Sequence, residues 1–150
     1  MIEISRATVA DVDVLHGLVE SYRAFYKQEP NSKTLGYLTD RLSDDEAIVF
    51  LACDVTDSNS RAVGFTMIYP TFSTVSLSQI WLLNDLYVDE TSRRQGVSQK
   101  LMDRAESEAK ASGATRLFLR TANDNVTAQA LYEGRGWVRD EIFRRYDLVF

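Results

Sequence analysis

Hydrophobic and polar positions along the chain follow two periods, and the period assigns most segments to a helix or a strand. Apolar residues recur at helical spacing from Val12 to Tyr26, behind a capping-box pattern at Thr8 and Asp11. The segment 78–89, SQIWLLNDLYVD, is the longest β-prone run. A second amphipathic helix follows it and ends at Gly113, where a helix C′ residue belongs.

The remaining segments complete an alternation of strands and helices. Ser32 is predicted to cap a short second helix that runs through Leu42, and Pro70 to open a loop. Further strands are predicted at 2–6, 47–53, 62–69 and 115–121, a helix from Asn125 to Gly134 or Gly136, and one or two strands at 137–150. The order β-α-α-β-β-β-α-β-α-β predicts an α/β protein with a mixed central sheet and helices on both faces.

Composition narrows the class of protein. The 150 residues suit one domain over 1–150, and the net charge of −5 argues against nucleic-acid binding. Cys53 and His16 are the only cysteine and histidine, so we expect no disulfide and no metal site. Without a signal-peptide pattern or a membrane-spanning run, the sequence predicts a cytoplasmic protein with no membrane partner.

Candidate chemistry begins where the third predicted helix starts, in the sequence SRRQGVSQK. A helix N-terminus favours an anion, Gly96 lets a ligand approach the backbone, and Ser98 can donate a hydrogen bond. Arg93 and Arg94 can pair with phosphate oxygens. These residues predict a pyrophosphate site, although a solvated turn has the same composition. The Walker A and dinucleotide-binding patterns are absent.

A second unusual pattern lies in NDNVTAQALYEGRGW. Asn125, Ala128 and Tyr132 share one face of the predicted helix, which is a poor pattern for a core. The alternative is an ordinary amphipathic helix in which the phenol of Tyr132 only packs.

Together the two segments resemble the GCN5-related N-acetyltransferases. RRQGVS is similar to that family's acetyl-CoA loop, NVTAQALYEGRGW to its N-x-x-A-x-x-L-Y-E-x-x-G-F/W segment, and NDLYVD to the strand before the loop. The order of elements agrees over essentially the whole chain, and the histone-tail and polyamine subgroup looks most similar. Small members commonly pair through their C-terminal strands, so the resemblance implies a homodimer.

The resemblance implies a role for each matching position. Acetyl-CoA would be the cosubstrate, and its pyrophosphate would be held by the loop: Arg93, Arg94, Gln95, Gly96, Val97 and Ser98. Its pantetheine arm would pair with the strand residues Leu86, Tyr87 and Val88, and pass Asn125 and Ala128 in a slot where the sheet splays. Tyr132 would protonate the departing thiolate.

The proton acceptor for the attacking amine is the open point. Related enzymes carry a glutamate where this chain has Asn84 or Leu82. Strand alternation places Asp85 on the opposite face from Asn84, which favours a structural role for that carboxylate. A water relay, Glu29 or Tyr26 stays an alternative.

Three residues near the end of the first predicted helix bear on the acceptor amine. Tyr22, Tyr26 and Glu29 lie at one helix end, where aromatic rings and a carboxylate suit an ammonium group, although the rings also suit a core. The predicted function is acetyl transfer to a primary amine of a small molecule, a polyamine or a peptide lysine. The alternative is a CoA-binding sensor or structural protein without transfer activity, which the absence of a glutamate at Asn84 favours.

Overall fold

The computed structural model describes residues 1–150, and its contacts group into two units, Met1–Leu119 and Arg120–Phe150. The first unit holds strands and helices in the order β1 (Ile2–Arg6), α1 (Val12–Phe25), α2 (Thr34–Ser43), β2 (Ile48–Asp54), β3 (Arg61–Ser73), β4 (Ser78–Val88), α3 (Val97–Ser112) and β5 (Leu117–Phe118). The second unit holds α4 (Val126–Gly134). One domain over 1–150 stays a prediction.

The helix boundaries follow local capping. The predicted capping box is present: the Ala10 amide donates to Thr8 Oγ1, and the Thr8 amide donates to Asp11 Oδ2 at 2.8 Å. It closes a short 3₁₀ turn from which α1 continues. The prediction that Ser32 caps α2 is wrong, because Lys33 is the N-cap residue and makes no side-chain capping bond. Gly113 ends α3 with a φ of 85°, as predicted.

The five strands form one mixed sheet in the order β1-β2-β3-β4-β5. The first four are antiparallel to their neighbours, and β5 runs parallel to β4. Pro70 does not open a loop, as was predicted, but lies within β3 opposite Trp81. Pairing of β3 with β2 stops at Ile68, so Pro70 has a strand neighbour on one side only. A proline is tolerated at such a position because its missing N–H can face the side that has no neighbouring strand.

Helices cover both faces of the sheet, as predicted. Val49 and Leu51 of β2 pack with Leu15 of α1 and Leu38 of α2 in one buried cluster. Phe50 alternates with them and points to the other face, where the guanidinium of Arg104 in α3 lies 5.2 Å from its ring centre. The sheet is therefore buried on both sides at its centre.

Two predicted strands differ in the structure. The strand predicted at 115–121 pairs only at Leu117–Phe118. The strand or strands predicted at 137–150 are absent, and that segment has no backbone ladder in its own chain. Apolar residues in 137–150 favoured a strand, but a strand also needs a partner for its N–H and C=O groups.

Candidate functional site

The predicted pyrophosphate loop has the backbone geometry of a ligand-binding turn. A 3₁₀ turn, Glu90–Ser92, follows β4, and then Arg94 and Gly96 take the left-handed conformation with φ of 61° and 75°. Gly96 is the N-cap residue of α3 and leaves the first turn without a side-chain cap. The first amides of α3 therefore have no partner within the helix and suit an anion.

The two arginines of the loop differ. Arg93 donates from Nε to the Val88 carbonyl at 3.1 Å, and its guanidinium lies 5.6 Å from the ring centre of Phe25. These contacts join the loop to β4 and α1. Arg94 is exposed and makes no ion pair or side-chain hydrogen bond. Arg94 is thus the loop cation that is available to a phosphate.

Strand β4 is paired on both sides in its first half only. Its contact with β5 is limited to Trp81 opposite Leu117 and Leu82 opposite Phe118. Leu86, Tyr87 and Val88 pair with β3 alone, which leaves one backbone edge open. No strand pairs with this edge of β4 beyond Leu82, and an extended ligand arm fits it.

A β-bulge in β4 changes the direction of two polar side chains. Met67 pairs with Asp85 and the next residue, Ile68, pairs with Leu83, so Asn84 is the extra residue. The expectation that Asp85 and Asn84 point to opposite faces is wrong, because the bulge interrupts the alternation. Both line one cavity, where Asn84 Nδ2 donates to Asp85 Oδ2 at 3.0 Å.

This cavity, the acceptor pocket, has a volume of about 360 Å³ and lies between α1, α2 and the two central strands β3 and β4. Its apolar wall is formed by Val19, Leu38, Phe65 and Met67. Its polar wall is formed by three tyrosines and by the side chains Arg23, Asn31, Lys33, Thr34, Asn84 and Asp85. The volume is that of a site for a small molecule.

The three tyrosines of the pocket are Tyr22, Tyr37 and Tyr69. The hydroxyl oxygens of Tyr37 and Tyr69 are 2.7 Å apart, and the Tyr69 hydroxyl donates to Met67 Sδ at 2.9 Å. Burial raises the pKa of Tyr22 and of Tyr69, and the nearby Asp85 carboxylate raises both further. These phenols therefore stay protonated near neutral pH and act as hydrogen-bond donors.

Asp85 is the carboxylate of the pocket, and it makes no ion pair. Burial raises its pKa, and hydrogen bonds from Asn84 and from the Tyr22 hydroxyl partly offset that effect. A carboxylate with a raised pKa is a stronger base than an exposed one. Asp85 can therefore bind an ammonium group or accept a proton.

The predicted acceptor residues separate in the structure. Tyr22 lines the pocket, and Tyr26 packs edge-on against it with ring centres 5.0 Å apart. Tyr26 and Glu29 are not among the lining residues. Arg23 and Lys33 also line the pocket, although no pattern in the sequence had indicated either residue. In the sequence, the signals for the pocket were Tyr22 and the adjacent polar pair Asn84 and Asp85. Asn84 was predicted at the catalytic position, whereas a structural role was favoured for Asp85.

The second unit holds the other predicted ligand residues. Asn125 is the N-cap of α4, and its Oδ1 accepts from the Ala128 amide at 3.2 Å. The Tyr132 ring is half-buried and lies 5.9 Å from the Trp137 ring. Asn125 therefore has a structural role that the sequence analysis did not assign.

No group of three or more His, Cys, Asp or Glu side chains is placed to hold a metal ion. No helix is long and apolar enough to cross a membrane.

Comparison with known proteins gives the family. Residues 13–137 match the acetyltransferase (GNAT) family. The chain belongs to this family. A solved structure described as a probable acetyltransferase is 36% identical, superposes with a TM-score of 0.90, and each chain covers at least 97% of the other. The sheet and helices described above are therefore the GNAT fold.

Two curated relatives agree with the assignment. An uncharacterized N-acetyltransferase, YhfO of Bacillus subtilis, is 35% identical over 97% of this chain and 95% of its own length. The D-amino-acid N-acetyltransferase HPA3 of Saccharomyces cerevisiae is 24% identical over 88% of this chain and 82% of its own length. This GNAT chain is thus an N-acetyltransferase, from a family that uses acetyl-CoA as cosubstrate.

Proposed function

We propose that this enzyme transfers an acetyl group from acetyl-CoA to a primary amine of a small molecule by direct attack of the amine. The observation that carries the proposal is the course of β4. One continuous segment passes from the carboxylate of Asp85 in the acceptor pocket, along an open backbone edge at 86–88, to the uncapped start of α3. An amine site and a phosphate site are thereby joined by an edge suited to the pantetheine arm.

The residues of this course fit acetyl-CoA. Amides of Gln95 to Ser98 and the Arg94 guanidinium would hold the pyrophosphate, and Arg93 would keep the loop in place through its bond to Val88. Amides near Leu86 to Val88 would polarise the thioester carbonyl. Bound acetyl-CoA supplies the acetyl group as a thioester. In the second unit, we assign Asn125 and Ala128 to the arm by their match to the family.

Asp85 takes the place of the missing glutamate. An ammonium group must lose a proton before nitrogen can attack, and at neutral pH a group in the pocket must accept it. Asp85 has the position and a raised pKa for this step, whereas Asn84 has no basic atom and orients the carboxylate through its 3.0 Å bond. Asn84 is thus a positioning residue.

The departing thiolate needs a proton, and Tyr132 matches the family's general acid. Tyr132→Phe keeps the ring beside Trp137 and removes the hydroxyl. We expect a loss in kcat of about 10²-fold with an unchanged KM for acetyl-CoA, since the hydroxyl acts in the transition state. Equal kcat and an equal pH profile in both proteins would assign Tyr132 to packing alone.

The proposed acceptors are small amines first and peptide lysines or polyamines second. The pocket volume of about 360 Å³ favours a small molecule, and the name of the yeast relative supports the inclusion of D-amino acids. The resemblance to the histone-tail and polyamine subgroup supports the other two classes. The acceptor assay therefore contains all of them.

The experiment combines binding with transfer. Acetyl-CoA at 100 times its dissociation constant should stabilise the fold by about 2.7 kcal/mol, measured as a thermal shift. Arg94→Gln should weaken binding about tenfold, and Lys110→Gln, an exposed cation at the far end of α3, should not. A thermal shift without an acetylated product from any amine would instead support the CoA-binding sensor.

We also propose a homodimer that forms through the segment 138–150. Seven large apolar side chains are exposed there: Val138, Ile142, Phe143, Tyr146, Leu148, Val149 and Phe150. A surface of this kind marks an interface. Light scattering should give about twice 17.0 kDa. Leu148→Glu should reduce that mass, whereas Val75→Glu, at an equally exposed valine in the β3–β4 turn, should not. A cytoplasmic location stays a prediction.

A further inference from the structure

The acceptor pocket carries more positive than negative charge, although the whole chain has a net charge of −5. Its charged lining residues are Asp85, Arg23 and Lys33. The whole chain is acidic, so the composition does not explain this local balance of charge. The balance therefore bears on which ligand the pocket can hold.

The negative charge has no protein counterion. Asp85 receives hydrogen bonds from the neutral groups of Asn84 and Tyr22 and makes no ion pair. A half-buried carboxylate without a cation is partly desolvated without compensation. The ammonium group of an amine acceptor would supply that cation.

The two cations of the pocket differ in their partners. Lys33 is exposed at the start of α2, and its ammonium group makes no ion pair. Arg23 of α1 donates from Nη2 to the Glu29 carbonyl at 3.0 Å and forms an ion pair with Glu20, with Nε 3.7 Å from Oε1. Lys33 is therefore the unpaired cation of the pocket, and an acceptor with an anionic group would supply its counterion.

The walls between these charges are apolar and aromatic. Phe65 and Met67 of β3 and Leu38 of α2 line the same cavity. They suit a hydrocarbon side chain on the acceptor, because burial of apolar surface is favourable there. A polyamine would instead bring further ammonium groups toward Arg23 and Lys33.

We propose that the acceptor is a small amino acid with an apolar or aromatic side chain. Its ammonium group binds Asp85 and its carboxylate binds Lys33 and Arg23. This inference rests on the proposed function. In the reaction, one ammonium proton passes to Asp85, the nitrogen forms the C–N bond, the C–S bond breaks, and the second proton leaves the nitrogen as the thiol forms. The carboxylate takes no part and only positions the amine.

The test compares substrates that differ only in the carboxylate. Alanine, leucine and phenylalanine in both enantiomers, their amides, and phenylethylamine are each assayed with acetyl-CoA for kcat/KM. We expect each preferred acid to exceed its amide by about tenfold or more, the effect of a hydrogen-bonded charge. Equal use of acid and amide overturns the proposal, as does a polyamine or a lysine peptide as the best substrate.

Variants of Lys33 locate the effect. Lys33→Gln should lower kcat/KM for the acid about tenfold and leave that for the amide unchanged, and Lys33→Glu should reverse the preference. Lys33 is exposed and makes no side-chain cap, so both variants should fold. Lys110→Gln is the matched control. Equal effects of Lys33→Gln on acid and amide overturn the proposal. Failure of the proposed function differs from all of these, because then no amine of any class is acetylated.

Discussion

The two halves of β4 have the same apolar character in sequence and opposite roles in the structure. The closed half, 78–83, is paired with β3 and reaches β5, and it buries Ile80, Trp81 and Leu83. The open half, 84–88, has a bulge, a half-buried carboxylate and one free edge. The closed half of β4 therefore stabilises the sheet, whereas the open half leaves backbone N–H and C=O groups available to a ligand.

The largest expected effect is on activity in the open half. Asp85→Asn keeps the shape of the side chain and its neighbours and removes the basic oxygen. We expect kcat to fall by about 10²–10⁴-fold, the range for a general base, with acetyl-CoA binding unchanged. Steady-state kinetics and a thermal shift with acetyl-CoA measure the two quantities. Asp40→Asn, at an exposed carboxylate of α2, is the control. Retained kcat would assign the proton to a water relay.

A substitution in the closed half should affect stability instead. Ile80→Ala removes a side chain that is 6% exposed and should cost about 2–5 kcal/mol of unfolding free energy. The dissociation constant of acetyl-CoA should stay within about twofold for the folded protein, since Ile80 lies before the open edge. Urea unfolding and calorimetry check this. Val75→Ala, at an exposed valine, is the control and should leave stability nearly unchanged. A large loss of acetyl-CoA affinity in Ile80→Ala would show that the two halves of β4 are coupled.

Gly64 of β3 tests how closely the open half must pack. A Cβ at Gly64 would lie 2.6 Å from the Tyr87 carbonyl oxygen, so Gly64→Ala must displace β4 at that point. We expect a loss of about 1–3 kcal/mol in stability together with weaker acetyl-CoA binding. Gly36→Ala is the control, because nothing lies within 4 Å of its Cβ position. Loss of stability with unchanged affinity would show that the open edge tolerates displacement.

The smallest effect is the pH dependence of stability. Burial raises the pKa of Asp85 above its ordinary value of 3.8, so the folded protein favours the protonated form more than the unfolded chain does. This contribution to stability is complete below pH 3.8 and is lost as pH rises through the raised pKa. Asp85→Asn does not titrate and should be more stable than the parent at pH 7.5.

The melting temperature measures this difference. About 2–4 °C is expected for each kcal/mol of unfolding free energy in a chain of this size. The gap between Asp85→Asn and the parent should close near pH 3.5, and Asp40→Asn should show no such trend. A gap that is the same at both pH values would argue that Asp85 has an ordinary pKa.

Local patterns determined most of the secondary structure of this protein. The capping box at Thr8 and Asp11, the left-handed cap at Gly113 and the Asn125 start of α4 each depend on a few adjacent residues, and all three are confirmed. The family was indicated by the resemblance of two short segments, RRQGVS and NVTAQALYEGRGW, to motifs of that family, and the family is confirmed. Such features are readable because the interacting atoms are close in sequence.

Tertiary pairing decided the rest. Asp85 lies in the acceptor pocket because β3 and β4 pair with a bulge at Asn84, and the sequence of β4 does not indicate that register. Lys33 and Arg23 line the same pocket because α1 and α2 pack on the sheet. The segment 137–150 is rich in apolar residues and forms no ladder, because pairing depends on a partner strand, which the composition of one segment does not supply.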